Sequence, residues 1–146
     1  MGSLEEMGNI VISIKPEFCK AIYSGKKLVE LRKGIGSAFV PGARLYIYTS
    51  SPEKAITGEA IIGSVQRLTP SDIKDQYLAS ACISEKDFDQ YYLGKEYGHV
   101  ISLASIMKYE FATGLSEMRR LGFHAPQSYS YPTQEIINYI ESRKCI

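Results

Sequence analysis

Ile12–Lys33 reads ISIKPEFCKAIYSGKKLVELRK and compresses a strand, a helix, a glycine turn and a second, charge-bearing strand into one short run. Ile10, Ile12 and Ile14 alternate with Val11 and Ser13, the period of a short strand with β-branched residues on a buried face. Pro16 then opens a helix, because the first helical position has no intrahelical partner for its N–H and loses nothing to proline. Phe18 and Ile22 fall at helical spacing, Glu17 and Lys20 turn toward water, and Ser24-Gly25 ends the helix by offering a residue that accepts positive φ. Beyond the turn, Val29 and Leu31 alternate with Glu30 and Arg32, so the first pair is expected in the core and the second on the other face. An acid and a guanidinium on one strand face can pair with each other or meet a ligand together.

Charge sharpens this reading. The whole chain carries a net charge of only +1, yet this run holds Lys15, Lys20, Lys26, Lys27, Arg32 and Lys33 against Glu17 and Glu30. A local excess of that kind suits phosphate groups. Lys20 and Lys26 read as solvated surface charges. Lys15, Lys27 and Arg32 flank the joint between strand, helix and strand, and are the candidate phosphate ligands. The near-neutral balance of the whole chain predicts a small footprint rather than a long RNA track.

At 146 residues the chain has material for one domain with one real core. Its 45% hydrophobic and 23% charged residues are those of an ordinary soluble globular protein. No apolar run approaches the roughly twenty residues needed to cross a bilayer, and the acidic start, MGSLEEMGN, lacks the h-region of a signal peptide. Residues 1–8 read as a tail, a vector or linker remnant ahead of a native start at Met7, and residues 9–146 as a single domain. Cys19, Cys82 and Cys145 are odd in number and far apart, which favours a reducing cytoplasmic setting over a disulfide framework or a zinc site. Cys19 on the short helix reads as a small core residue. His99 in a strand and His124 in a loop do not make a metal site by themselves, and nothing in the pattern asks for a cofactor.

Further along, the glycine-rich segment between Lys33 and Gly42 reads as a loop able to close over a ligand. Ala43–Thr49 is a strand, and Ser50-Ser51-Pro52 begins a turn or a single helical turn whose hydroxyls and free N–H groups make a small anion-binding corner. Ala55–Val65 is another strand, with Gly58 and Gly63 marking bulges and therefore strong curvature. Short helices over Thr69–Tyr77 and Ser84–Tyr92 read as spacers outside a barrel. Gly98–Met107, extended by Tyr109–Phe111, is a strand; Leu115–Leu121 and Thr133–Arg143 are helices, the latter with Ile136, Ile137 and Ile140 on its apolar side. The order predicts an α+β fold, a small, curved, mixed and mostly antiparallel β-barrel with short peripheral helices.

Ser13-Ile14-Lys15-Pro16, Ser24-Gly25-Lys26-Lys27 and Val29-Glu30-Leu31-Arg32 resemble the opening of ASCH domains, a branch of the PUA-like superfamily of small barrels. Tyr48-Thr49-Ser50-Ser51-Pro52, Gly58-Glu59-Ala60, Phe88 with Tyr91-Tyr92, and Ala125-Pro126-Gln127-Ser128 continue the likeness, which covers Ile10 to Tyr131. The resemblance implies a cleft between the first helix and the sheet that binds RNA or nucleotides. It also implies two kinds of chemistry. Some ASCH proteins remove the acetyl group of N4-acetylcytidine with a lysine, a threonine three positions later and a glutamate from a later strand, and others are ribonucleases. Lys27 matches the lysine, Glu30 stands where the threonine would be, and Glu59 is an approximate match to the glutamate. A carboxylate cannot replace a hydroxyl nucleophile, although it can serve as general base toward water.

Two functions follow as expectations. In the first, a basic cleft binds RNA or a nucleotide: Lys15, Lys27 and Arg32 hold phosphate, Ser50, Ser51 and Gln127 add hydrogen bonds, and Tyr48 or Tyr129 stacks on a base. In the second, the chain is a hydrolase of the amidohydrolase or ribonuclease type acting on RNA or a modified nucleoside, with Lys27 and either Glu30 or Glu59 as its working groups. The surroundings of Lys27 discriminate. Glu30 and Glu59 around it in a closed pocket favour catalysis, and open solvent beside Arg32 favours binding.

Overall fold

The computed structural model describes residues 8–145. The proposed tail falls almost wholly on residues 1–7, which lie outside the described residues. The elements in chain order are β1 (Asn9–Ile14), α1 (Pro16–Tyr23), β2 (Val29–Arg32), β3 (Arg44–Thr49), β4 (Ala55–Leu68), α2 (Pro70–Tyr77), α3 (Glu85–Tyr91), β5 (Gly98–Gly114), α4 (Leu115–Arg119), β6 (Tyr129–Ser130) and α5 (Gln134–Arg143). The six strands form one sheet in the order β2-β5-β4-β3-β1-β6. Among the described residues only β1 and β3 pair in parallel; the other neighbours are antiparallel. The sheet curls into a half-barrel, the mixed α+β architecture expected from the sequence.

Curvature comes from the long β4–β5 ribbon. Its pairing slips between Ile56 and Gly58, between Glu59 and Ile61, and between Ile62 and Ser64. Each slip adds local twist and bends the strand, and two of them adjoin the glycines that marked bulges in the sequence. At Gly58 the chain comes so close to the Tyr23 hydroxyl and the Met107 carbonyl that a Cβ would overlap both.

Three apolar clusters cover the sheet. Ile10, Ile12, Ile14, Leu45, Ile47 and Ile101 fill the concave side with Cys19 and Ile22 of α1. On the convex side Val11, Tyr46, Tyr48 and Ile56 pack under Met118 of α4 and Ile136, Ile137 and Ile140 of α5. Val29, Leu31 and Val100 are covered by Ile73 of α2 and by Phe88 of α3, with Tyr92 just beyond it. β1 is therefore buried on both faces, and this is why, after Asn9, its pattern is an apolar run broken only at Ser13. The two helices read as spacers instead form a third core against β2 and β5. Their starts are fixed by Thr69 and Ser84, whose hydroxyls accept from the N–H groups of Asp72 at 3.2 Å and Asp87 at 3.1 Å.

The edge strands β2 and β6 do not pair with each other. Arg32 bridges this seam instead: its Nη2 donates to the Ser13 carbonyl at 2.7 Å and its Nη1 to Ser128 Oγ at 3.1 Å. The gap that it spans opens into a cleft.

Candidate functional site

The cleft has a volume of about 740 Å³ and lies between α1, β2, α3 and the segment around Ser128. Side-chain direction in β2 decides what it contains. Val29 and Leu31 turn outward to α2 and α3, so Glu30 and Arg32, on the other face, turn into the half-barrel, where Glu30 sits opposite Ile101 of β5. Lys27 enters from the turn after α1, whose Gly25 takes φ +83°.

These three residues form one array. Lys27 is 4% exposed; its Nζ donates to the Ala81 carbonyl at 2.7 Å, stands 3.3 Å from Glu30 Oε1 and lies 4.8 Å from the centre of the Phe18 ring. Glu30 Oε2 accepts from Arg32 Nη2 at 2.6 Å and from Arg32 Nε at 2.9 Å. One carboxylate thus serves two cations at the bottom of an open cleft. A carboxylate has roughly four acceptor positions, so about one remains on Glu30 for a donor arriving from the cleft. Burying three charged groups costs several kcal/mol per ion before mutual attraction offsets it.

Of the residues singled out from sequence, Lys15, Lys27, Glu30, Arg32, Ser50 and Gln127 all line this cleft. Four of the expected residues do not join them. Glu59 faces the convex side, where Lys144 donates to it at 3.0 Å, Tyr109 at 2.8 Å, and Arg44 pairs with its other oxygen. Burial pushes the Glu59 carboxyl up, but the Lys144 and Tyr109 hydrogen bonds and the Arg44 charge outweigh that and hold it below its ordinary value. Tyr48 lies on the same convex face, in the core beside Phe123 at 6.4 Å between ring centres. Alternation explains both: Tyr46 and Tyr48 share one side of β3, opposite to Leu45, Ile47 and Thr49. Tyr129 is on the concave side but packs edge-on against Phe39 at 4.9 Å, outside the lining. Ser51 is exposed on a turn and does not reach the lining.

The anion corner at Ser50 takes the first of its two expected forms, a turn over residues 50–53 with a cis Ser51–Pro52 peptide, but it lacks a free Ser50 N–H. The Ser50 N–H is already donated to the Ile14 carbonyl at 3.0 Å, leaving its hydroxyl as the group it offers the cleft. Cys19 is a core residue as read: Thr49 donates to its Sγ at 3.3 Å, and burial pushes the thiol up to about 11.

Several lining residues were not picked out from sequence. Phe18, Lys33, Ile83, Asp87, Gln90 and Tyr91 belong to the cleft. Asp87, Gln90 and Tyr91 stand at i, i+3 and i+4 of α3, a spacing that places them on one helical face. That periodicity was available, but nothing local tells which face of a short helix meets the barrel. The lining holds four cations, Lys15, Lys27, Arg32 and Lys33, against Glu17, Glu30 and Asp87, so its positive excess is small and suits a short anionic ligand.

A curled mixed sheet, an apolar concave core closed by a short helix and a charged cleft at the open seam define a PUA-like domain. Comparison with known proteins agrees. Residues 7–122 match the family described as a domain of unknown function, DUF365. A protein of Zymomonas mobilis named ASCH domain-containing ribonuclease is 30% identical over 137 residues, 92% of this chain and 91% of that protein. The crystal structure of ASCH from Zymomonas mobilis superposes with a TM-score of 0.86 at 30% identity, covering 93% of this chain and 95% of that one. The N-terminal domain of Staphylothermus marinus McrB shares the fold, with a TM-score of 0.62 at 16% identity over 93% of this chain and 94% of that domain. The chain belongs to the ASCH-domain family. No helix among the described residues is long and apolar enough to cross a membrane.

Proposed function

We propose that this protein binds a short single-stranded RNA segment in the cleft and cleaves it at the Lys27–Glu30–Arg32 array. The observation that carries the reading is that a buried carboxylate, held between two cations, faces an open cleft with acceptor capacity to spare. In this reading Glu30 takes the proton of a ribose 2′-hydroxyl, whose oxygen attacks the adjacent phosphorus. The P–O5′ bond breaks, the leaving oxygen takes a proton from solvent, and a 2′,3′-cyclic phosphate remains. Arg32 and Lys27 face the charge that grows on the phosphoryl oxygens. Lys15 and Lys33, both exposed on the rim, hold flanking phosphates. The ribonuclease name of the Zymomonas mobilis relative supports the choice of RNA.

Removal of an acyl group is the weaker form of the hydrolase reading. It loses its third group with Glu59 on the convex face, and Glu30 offers no hydroxyl nucleophile. Binding without turnover is favoured by a different observation: Glu30 is already engaged at both oxygens, hydrogen-bonded to Arg32 through Oε2 and ion-paired with Lys27 through Oε1.

End-labelled single-stranded oligoribonucleotides, and copies with one 2′-deoxy position, separate these readings. Cleavage that spares the deoxy position and falls by roughly 10²- to 10⁴-fold in Glu30→Gln is the expected result. Retention of RNA without cleavage in the wild type leaves the binding reading, and neither retention nor cleavage overturns both.

A further inference from the structure

We infer that the α3 wall of the cleft is a base-reading subsite that selects guanine, an inference that rests on the RNA reading above. Three residues of α3, Asp87, Gln90 and Tyr91, line the same cleft as the Lys27–Glu30–Arg32 array. The carboxylates of this helix are put to different uses. Asp89 and Glu85 pair with Lys74 of α2 at 2.7 and 3.1 Å, which ties the two helices together. Asp87 has its backbone N–H capped by Ser84, but its carboxylate makes no ion pair or hydrogen bond among the described residues, and neither does the Gln90 amide. An exposed carboxylate in a cleft that takes a polyanion would repel phosphate, so its partner is a donor edge of a base.

Base chemistry narrows the choice. Guanine presents two adjacent donors, N1–H and the 2-amino group, which one carboxylate accepts together, with O6 beside them for the Gln90 amide to donate to. Adenine sets the N1 lone pair beside its amino group, cytosine sets N3 there, and uracil flanks its single N–H with two carbonyls. Each of these turns a lone pair toward the Asp87 carboxylate. The apolar surface that a base needs is present as well. Tyr91 and Ile83 line the same side of the cleft and Phe18 the α1 side. Tyr91 already carries the Lys33 ammonium over its ring at 4.6 Å, so this ring borders both the base-reading wall and the cationic rim. Single-stranded RNA is read in this way elsewhere, through stacked bases and their Watson–Crick edges.

The test is isothermal titration calorimetry with the four nucleoside 3′-monophosphates, on the wild type, Asp87→Asn and Gln90→Ala, alongside cleavage of oligoribonucleotides. Asparagine keeps the shape of Asp87 but sets an amide donor against the guanine donors. The wild type is expected to bind guanosine 3′-monophosphate roughly tenfold or more tightly than the other three. Asp87→Asn removes that advantage, and Gln90→Ala reduces it. Equal affinities in the wild type, or a guanine preference that survives Asp87→Asn, overturns the subsite even where RNA is cleaved. Guanine selectivity lost in Asp87→Asn, with no cleavage of any oligonucleotide, supports the subsite and overturns the ribonuclease reading alone.

Discussion

Truncating Glu30 to alanine removes the one anion that serves two buried cations. The side chains of Lys27, Glu30 and Arg32 are 4, 9 and 13% exposed, so water replaces little of what is lost. Breaking a buried pair from one side costs about 3–5 kcal/mol. Here the lower part of that range applies, since Lys27 keeps the Ala81 carbonyl and Arg32 keeps the Ser13 carbonyl and Ser128. At about 2–4 °C per kcal/mol for a chain of this size, Glu30→Ala lowers Tm by roughly 6–16 °C. Lys27→Met with Glu30→Gln is the control: it removes one charge of each sign and leaves Arg32 a neutral acceptor. That double variant melts within about 3 °C of the wild type, because replacing both members of a buried pair is often near neutral. Scanning calorimetry at neutral pH, checked for agreement of calorimetric and van't Hoff enthalpies, measures both variants. A Glu30→Ala protein that melts within about 2 °C of the wild type would refute the claim that this array is one coupled unit. The double variant, stable yet without RNA binding, is the expected sign that these charges are retained for a ligand and not for the fold.

Arg32→Leu opens the seam: amide exchange quickens at β6 and around Ser128, and the salt dependence of RNA binding falls by about one phosphate contact, whereas unchanged exchange there would dismiss the bridge. Gly58→Ala costs about 1–3 kcal/mol, read as a lower urea midpoint at unchanged m, because its Cβ meets the Met107 backbone and the Tyr23 hydroxyl. Glu59 has its folded pKa held below the ordinary 4.5, so the folded state binds fewer protons than the unfolded one; its contribution is full above that pH and is lost as the pH falls through the folded value. Urea midpoints from pH 7 to 3 should therefore decline in acid, and less steeply in Lys144→Met, with equal slopes counting against the network. A thiol reagent should label Cys82 and Cys145 quickly and Cys19 only after unfolding, since Cys19 is buried and its thiol lies at about 11.

Much of the site was legible because it lies in contiguous sequence. Lys15, Lys27, Glu30 and Arg32 come from one strand-helix-strand unit, where period and turn chemistry fix what each residue faces. The misplacements share a cause. Glu59 and Tyr48 lie on strands buried on both faces, so alternation gives no contrast between the cleft side and the far side. The loop sequence around Tyr129 suggests a stacking residue, yet its place is set by the partner Phe39, ninety residues earlier in the chain. The α3 wall was missed for a related reason: a seven-residue helix shows its cleft face only once α2 and β2 are packed against the opposite one.

The location of the cleft follows from how the sheet ends. A fully closed barrel would satisfy β2 and β6 by pairing them, and its interior would then fill with apolar side chains. This sheet stops short, with four residues in β2 and two in β6, and the last step of closure passes to one guanidinium. Arg32 needs a carboxylate beside it to stay buried, and Glu30 is the neighbour on its own strand face. Lys27 then lies beyond Glu30, where the turn after α1 returns the chain to the sheet. The same Arg–Glu pair that seals the half-barrel therefore carries charge to the cleft floor. A phosphate that engages Arg32 competes directly with the Ser13 and Ser128 contacts across the seam. On the proposed reading ligand binding and seam stability are linked through one side chain, and RNA that protects against thermal unfolding in the wild type should lose that effect in Arg32→Leu.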